Sequence, residues 1–394
     1  MSLSHRDTKG TRILESKIQS KAFQELSQAA ETLVNPEIKR WREQGGKVLG
    51  YFCSAMPEEL ITAAGLLPFR MRATGSTGTD LSDTYFSSIN CSFPRHCFNI
   101  ALQGGFDSFE GVVCINSCDN IRRIYDNWKR QLPTTLVHIM SLTRKTGKPQ
   151  VEWFRDEVAN LKLLLEKHLN MKIPDERLWD AIALHNETRR LQRKLYDFRK
   201  LDNPPITGTE ALAVIVAGTA MPKERYNQLL TELLDELGKS AGNTDYRARL
   251  LLMGGILDDP AYVKVIEDQG GLVVTDSLCF GSRLFWNDIN ERASDPITAL
   301  AQYYVADRPS CPRMFGDYER RIGLVREMIR DFKVDGVIVE RLAFCDHWGF
   351  EQFTIENDFQ DDNIPCLIMD REYILSGAGQ LRTRVQAFLE TMGR

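Results

Sequence analysis

No Cys-x-x-Cys pair occurs anywhere in these 394 residues. That absence removes the spacing on which zinc ribbons and ferredoxin-type clusters are built. No apolar run approaches the roughly 20 residues that a membrane helix needs. The chain opens Met1-Ser2-Leu3-Ser4-His5-Arg6-Asp7, without the apolar core of a secretory signal. We therefore expect a cytoplasmic protein with no membrane contact. A charge field of one sign is missing too: 50 Lys and Arg stand against 54 Asp and Glu, a net charge of −4. Neither a nucleic-acid surface nor an acidic disordered tail is indicated. A Gly-x-x-x-x-Gly-Lys-Ser/Thr loop is absent as well, and glycine words such as Met253-Gly254-Gly255 form no other nucleotide cradle. Any use of ATP then falls to a separate subunit.

What the chain does have is length, apolar content and thiols. With 394 residues, 43% of them hydrophobic, two ordinary domains can each bury a core. Nine cysteines are an odd number, and in a reducing compartment thiols are more often buried, metal-bound or reactive than paired.

The apolar pattern divides the chain. Residues 1–45 read as a helical N-terminal arm, with Ala22, Phe23 and Leu26, then Ala29, Ala30 and Leu33, at helical spacing and Pro36 breaking the run. Short apolar runs at 48–52, 66–71, 111–115 and 135–140 alternate with helical stretches at 57–64, 97–103 and 120–130. A long helical excursion covers 151–201, where the charged run 189–194 reads as a solvated face or a contact between subunits. Asp202-Asn203-Pro204-Pro205 reads as a linker. Strand-like runs return at 212–216, 249–253, 272–275, 336–339 and 366–369, with helices at 226–237, 260–269, 320–332 and 380–390. Short strands alternating with helices imply parallel sheets covered on both faces. The expected organisation is an α/β chain: the arm, a first α/β domain over 46–205 that contains the excursion, and a second over 206–394.

Three cysteines stand out because they sit at or just beyond apolar runs: Cys91, Cys118 and Cys345. In open parallel sheets ligands bind beyond the carboxyl ends of the strands. Three thiolates meeting there would hold an iron–sulfur cluster with one iron left open. The alternative is inertness, since cysteine often behaves as a small buried hydrophobe. We read Cys53, Cys97, Cys114, Cys279, Cys311 and Cys366 in that way.

The words around the three cysteines favour the cluster. Gly50-Tyr51-Phe52-Cys53-Ser54-Ala55-Met56-Pro57-Glu58-Glu59-Leu60-Ile61, continuing Ala63-Ala64-Gly65-Leu66-Leu67-Pro68, resembles the opening of the benzoyl-CoA reductase and 2-hydroxyacyl-CoA dehydratase family. The resemblance runs on through Cys91-Ser92-Phe93, Ser117-Cys118-Asp119, Asp335-Gly336-Val337-Ile338, Phe344-Cys345, Ile364-Pro365 and Gly379-Gln380-Leu381-Arg382-Thr383-Arg384. The stretch from Ser117 to Trp128 is similar to the class I benzoyl-CoA reductase branch.

The resemblance implies two flavodoxin-like doubly wound domains and a [4Fe-4S] cluster held by Cys91, Cys118 and Cys345. It also implies a related cluster-bearing partner subunit, an ATP-hydrolysing electron-activating component, a ferredoxin-type donor and an acyl-CoA substrate. The implied activity is low-potential electron transfer to an aromatic acyl-CoA thioester, giving a cyclic dienoyl-CoA. The alternatives are dehydration of a 2-hydroxyacyl-CoA through a ketyl radical, or a cluster-bearing relay that never meets substrate.

Other residues are candidates with a structural reading beside the functional one. Glu58 and Glu59 open a helix behind Pro57, where carboxylates are favoured electrostatically, and could transfer protons. His347 could donate a hydrogen bond to the cluster or substrate, or be a satisfied loop histidine. Arg382 and Arg384 could pair with coenzyme A phosphates or anchor the last helix. Trp348 is close enough to Cys345 to shield a cluster from water.

Overall fold

A computed structural model of the chain describes residues 18–393. The beginning of the expected arm, before Ile18, lies outside the described residues.

Two four-stranded parallel sheets organise the molecule. The first comprises β1 (Lys47–Tyr51), β2 (Leu66–Arg70), β3 (Gly111–Ile115) and β4 (Leu136–Met140), in the order β2-β1-β3-β4. The second comprises β5 (Ala248–Gly254), β6 (Gly271–Ser277), β7 (Gly336–Leu342) and β8 (Cys366–Arg371), in the order β6-β5-β7-β8. Both halves thus repeat one winding, consistent with two flavodoxin-like domains. In each, the chain leaves the first strand toward one edge and returns to the other side of it. A crevice therefore opens at the carboxyl ends of β1 and β3, and another at those of β5 and β7.

The inner strands are mostly apolar because both of their faces are covered, while the edge strands β4 and β8 are only partly buried. Side chains alternate across a strand, so Leu49, Tyr51, Val113 and Ile115 join one core while Val48, Val112 and Cys114 join the core on the opposite face. In the second sheet Leu251, Met253, Val337 and Val339 face one way, and Leu250, Leu252 and Ile338 the other.

Fourteen helices are present among the described residues: α1 (Lys21–Glu31), α2 (Pro36–Glu43), α3 (Glu58–Ala63), α4 (Ser92–Leu102), α5 (Asp119–Gln131), α6 (Lys148–Leu169), α7 (Asp175–Arg199), α8 (Gly208–Ala217), α9 (Lys223–Leu237), α10 (Pro260–Glu267), α11 (Pro296–Gln302), α12 (Tyr318–Asp331), α13 (Asp346–Asp361) and α14 (Ala378–Thr391). Pro36 does break the helical run, but it also starts α2, with the Asn35 side chain accepting from Ile38 N at 3.0 Å. Helix α1 packs on α8 and α9 of the second half of the chain, while α2 packs on β1 of the first, so the arm bridges the two.

Three expectations are corrected. The run 212–216 is not a strand but the core of α8, buried on every side against α1, α10 and β6. A wholly apolar run carries no periodicity to separate helix from strand. The deciding signal is Thr207, whose side chain accepts from Glu210 N at 3.2 Å while Glu210 accepts from Thr207 N at 2.7 Å, a capping box. The charged run 189–194 is not simply a solvated face, because Arg189 and Gln192 are buried. Finally, His347 lies in the first turn of α13 and not in a loop.

Candidate functional site

Cys91, Cys118 and Cys345 are the residues that precede α4, α5 and α13, so each stands at a helix N-terminus. The apolar pattern alone starts the first of these helices only at Cys97; its start at Ser92 puts Cys91 at the cap. None of the three side chains makes a capping hydrogen bond, which leaves the sulfurs available. Three helices of 11, 13 and 16 residues thereby direct their partial positive ends toward three thiols, a setting that favours thiolate.

Two side chains brace these loops against one another. Asn120 Oδ1 accepts from Cys91 N at 3.2 Å and from Asn90 Nδ2 at 2.9 Å, tying the start of α4 to α5. His347 Nε2 lies 2.9 Å from the Ser117 carbonyl oxygen and donates to it, tying α13 to the loop before Cys118. Burial keeps the His347 imidazole below its ordinary pKa and hence neutral. With the Nε2 proton committed, this histidine positions the loops.

All three cysteines line one cavity of about 120 Å³, and three more thiols line it with them: Cys53, Cys279 and Cys311. Cys53 follows β1 and Cys279 follows β6, so the first and second sheets both contribute. Cys53 holds φ of +80°, a left-handed conformation that costs a non-glycine residue of order 1–3 kcal/mol. Phe344, immediately before Cys345, sits at φ +62°. Phe93, Ile121, Leu342 and Trp348 add apolar surface to the lining.

The thiols differ electrostatically. Burial pushes Cys91 up to about 11 and Cys118 up to about 12, and it raises Cys345 strongly. In the metal-free protein burial thus outweighs the helix ends and these three are neutral, so metal binding must displace their protons. Burial also pushes Cys279 upward, but Arg283, Arg70 and Arg308 outweigh it and leave the thiol below its ordinary value. Arg283 Nη2 lies 3.0 Å from Cys279 Sγ.

Among the described residues no three Cys, His, Asp or Glu side chains are gathered tightly enough to hold one metal ion. A polynuclear cluster would make a different demand, since its thiolate ligands would be shared among several irons and need not converge on one. Six soft donors around one cavity, with Asp346 the one carboxylate along its lining, fit iron–sulfur chemistry.

The remaining candidates lie elsewhere. Glu59 is fully buried, accepting from Arg189 Nη2 and, at 2.9 Å, from Tyr304 Oη. Glu58 meets Lys223 Nζ at 3.2 Å and Tyr51 Oη at 3.1 Å. Neither lines the cavity. Arg382 and Arg384 are exposed on α14, and Arg384 donates to the Ile368 carbonyl at 2.7 Å. Of the thiols read as inert, Cys97 and Cys114 are buried in the core, while Cys53, Cys279 and Cys311 reach the cavity. Cys53 and Cys279 carried the same cue as Cys118, a position just past an apolar strand; Cys311 carried none.

Comparison with known proteins adds an independent line. A family profile described as "2-hydroxyglutaryl-CoA dehydratase, D-component" matches residues 53–392. The chain is 28% identical over 391 residues to the putative dehydratase subunit YjiM of Escherichia coli, covering 94% of this chain and 97% of that protein. It is 26% identical over 383 residues to the (R)-phenyllactyl-CoA dehydratase beta subunit of Clostridium sporogenes, covering 94% and 99%. It is 25% identical over 337 residues to one of the subunits of the benzoyl-CoA reductase of Thauera aromatica, covering 84% and 87%.

Proposed function

Because the chain belongs to the 2-hydroxyglutaryl-CoA dehydratase D-component family, we propose that it is an iron–sulfur redox subunit that holds and passes low-potential electrons for acyl-CoA chemistry. The observation that carries this reading is the convergence of six cysteines on one cavity. We assign Cys91, Cys118 and Cys345 as one wall of ligands and Cys53, Cys279 and Cys311 as the facing wall. When bound, the cofactor supplies a reversible one-electron store at low potential.

The protein's own residues do the rest. The N-termini of α4, α5 and α13 favour the thiolate form, Asn120 and His347 hold the ligand loops together, and Trp348 with Phe93 excludes water. Thiolate ligation and exclusion of water both disfavour the more reduced, more negative state, so a reduced centre here is a strong donor.

The relatives' names supply the substrate class, an acyl-CoA thioester, and two reactions: reduction of benzoyl-CoA and dehydration of (R)-phenyllactyl-CoA. A cavity of about 120 Å³ is small beside the 300–1,000 Å³ of pockets for drug-sized ligands, which favours an electron relay whose partner subunit binds the thioester. The partners we propose are a related subunit, an ATP-hydrolysing activator and a ferredoxin-type donor.

Anaerobic purification followed by iron and sulfide counts tests the cofactor, and a colourless, iron-free protein overturns the reading. With the partner subunits added, net reductant consumed in every turnover marks the reductase. Sustained turnover after one priming electron marks the dehydratase.

A further inference from the structure

Four arginines surround the thiol cavity in a way that no salt bridge explains. Arg70 and Arg283 are each 1% exposed, Arg308 5% and Arg313 6%. Their hydrogen bonds run to main-chain oxygens and uncharged side chains. Arg70 Nη1 donates to the Cys279 carbonyl at 2.5 Å, with its guanidinium 3.7 Å above the Phe280 ring. Arg283 Nη2 donates to the Gly254 carbonyl at 2.7 Å and to Cys279 Sγ at 3.0 Å. Arg308 donates to Ser54 Oγ at 2.8 Å and to the Ser54 carbonyl. Arg313 donates to the carbonyls of Asn116 at 2.6 Å, Leu142 at 2.5 Å and Thr143.

No carboxylate among the described residues forms an ion pair with any of the four. Glu340 and Glu351 lie within electrostatic reach of Arg283 without bonding to it: Glu351 is paired with Arg321, and Glu340 with Arg371 through Oε2, its Oε1 being buried without a partner. Asp346, on the cavity lining, is exposed to solvent. Arg283 also keeps Nε and Nη1 buried without a hydrogen-bond partner, and its guanidinium lies 5.2 Å from the Trp348 ring, so it spans from the Cys279 wall to the Cys345 wall. Buried cations without counter-ions are strongly disfavoured unless negative charge balances them. An occupant with its thiolate ligands would supply that negative charge in this cavity.

We propose that Arg70, Arg283, Arg308 and Arg313 form a cationic cage that stabilises the more negative, reduced state of the cavity's occupant and so sets its reduction potential. This rests on the iron–sulfur reading above. Thiolates and dryness push the potential down, while the cage pulls it back to where a donor can still load the site. The four are positioning residues, acting on the occupant through space and through Cys279 and Ser54.

The experiment is a redox titration of the anaerobically purified full chain, followed by electron paramagnetic resonance, for the wild type, Arg283→Gln, Arg283→Lys and Arg308→Gln. Arg283→Gln is expected to keep its iron and sulfide while its reduced-to-oxidised ratio at fixed ambient potential falls at least tenfold, about 59 mV for one electron. Arg308→Gln should move the same way, and Arg283→Lys, which keeps the charge, should stay nearer the wild type. Metal-free Arg283→Gln is expected to melt no lower than metal-free wild type, because an unbalanced buried charge has been removed. Unchanged midpoints in both Gln variants at full iron content overturn the cage but leave the iron–sulfur reading standing. Loss of iron in both, with lower melting of the metal-free proteins, marks a purely structural role and also overturns it. Absence of iron from the wild type overturns the cage and the reading together.

Discussion

At the scale of single residues, the cavity separates nine cysteines into six that face one space and three that do not. Cys118→Ser is expected to lose iron with little change in helical content, because its sulfur caps nothing and only its loop is braced. Cys279→Ser tests the second wall in the same way, whereas Cys366→Ser, which lies in β8 away from the cavity, should keep its iron. Full iron content in Cys279→Ser would strike that wall from the ligand set.

Acid should weaken the fold through His185 and Glu58. Burial lowers His185 to about 4, so the unfolded chain, with a value near 6.5, binds a proton first and stability falls as pH drops from about 6.5 toward 4. Burial pushes Glu58 up, yet Lys223, His185 and Arg189 outweigh this and hold it at about 2. Its contribution is complete above about 4.5 and is lost as pH falls toward 2. A melting temperature that stays level from pH 7.5 to 4.5 would contradict this assignment.

At the scale of elements, the start of α8 shows how a helix is fixed where periodicity is silent. Glu267 accepts from Gly208 N at 2.7 Å, Thr209 N at 3.0 Å and Thr209 Oγ1 at 2.6 Å. Gly208 itself leaves no room for a side chain, since a Cβ would lie 2.6 Å from the Val273 carbonyl oxygen. Alanine ordinarily favours a helix over glycine, but Gly208→Ala should destabilise by about 1–3 kcal/mol through overpacking against backbone. Chemical denaturation measures it, and a stabilised variant would show that the β6 strand yields. Helix α13 escapes the apolar pattern for a related reason: Trp348, Ile355 and Phe359 are its buried side chains while Phe350 and Phe353 are exposed. An apolar stripe mixed with exposed aromatics gives no clean 3.6-residue signal.

At the scale of the whole molecule, the two halves meet through buried polar contacts as well as through the cavity. Helix α7 packs on α3 of the first half and on α9 of the second, and the fully buried Glu59 on α3 accepts from Tyr304 of the second half at 2.9 Å while pairing with Arg189 on α7 within the first. Removing one partner strands the other charge, so Arg189→Ala should cost about 3–5 kcal/mol. The pair Arg189→Met with Glu59→Gln should recover part of that loss, as read by denaturation, and additivity of the two single changes would dissolve the proposed coupling. Tyr373 bridges the halves again, donating to Asp258 Oδ2 at 2.6 Å and accepting from Ala73 N at 2.9 Å.

Local chemistry alone determined much of this protein. Every strand of both sheets is legible as a short apolar run that begins within about a residue of the strand itself, although the same signal also marks 212–216, which is helix. Strands that are apolar on both faces also announce parallel sheets between helices. Cys118 and Cys345 are legible as candidates because they directly follow β3 and β7, where parallel sheets present side chains, whereas Cys91 lies about twenty residues beyond β2 and is marked by the words around it alone. Tertiary structure alone decided the rest. Residues 53 and 279, just past strands of two separate sheets, and residue 311, in the loop before α12, come to line one cavity only on folding. Arg70, inside a strand-like run, and Arg283 carry no cue in the sequence to a role beside those sulfurs, where folding buries them. Pattern along a chain reports which face of an element is apolar; it carries no record of which distant elements share a wall, and that sharing is what turns scattered thiols and guanidiniums into a site.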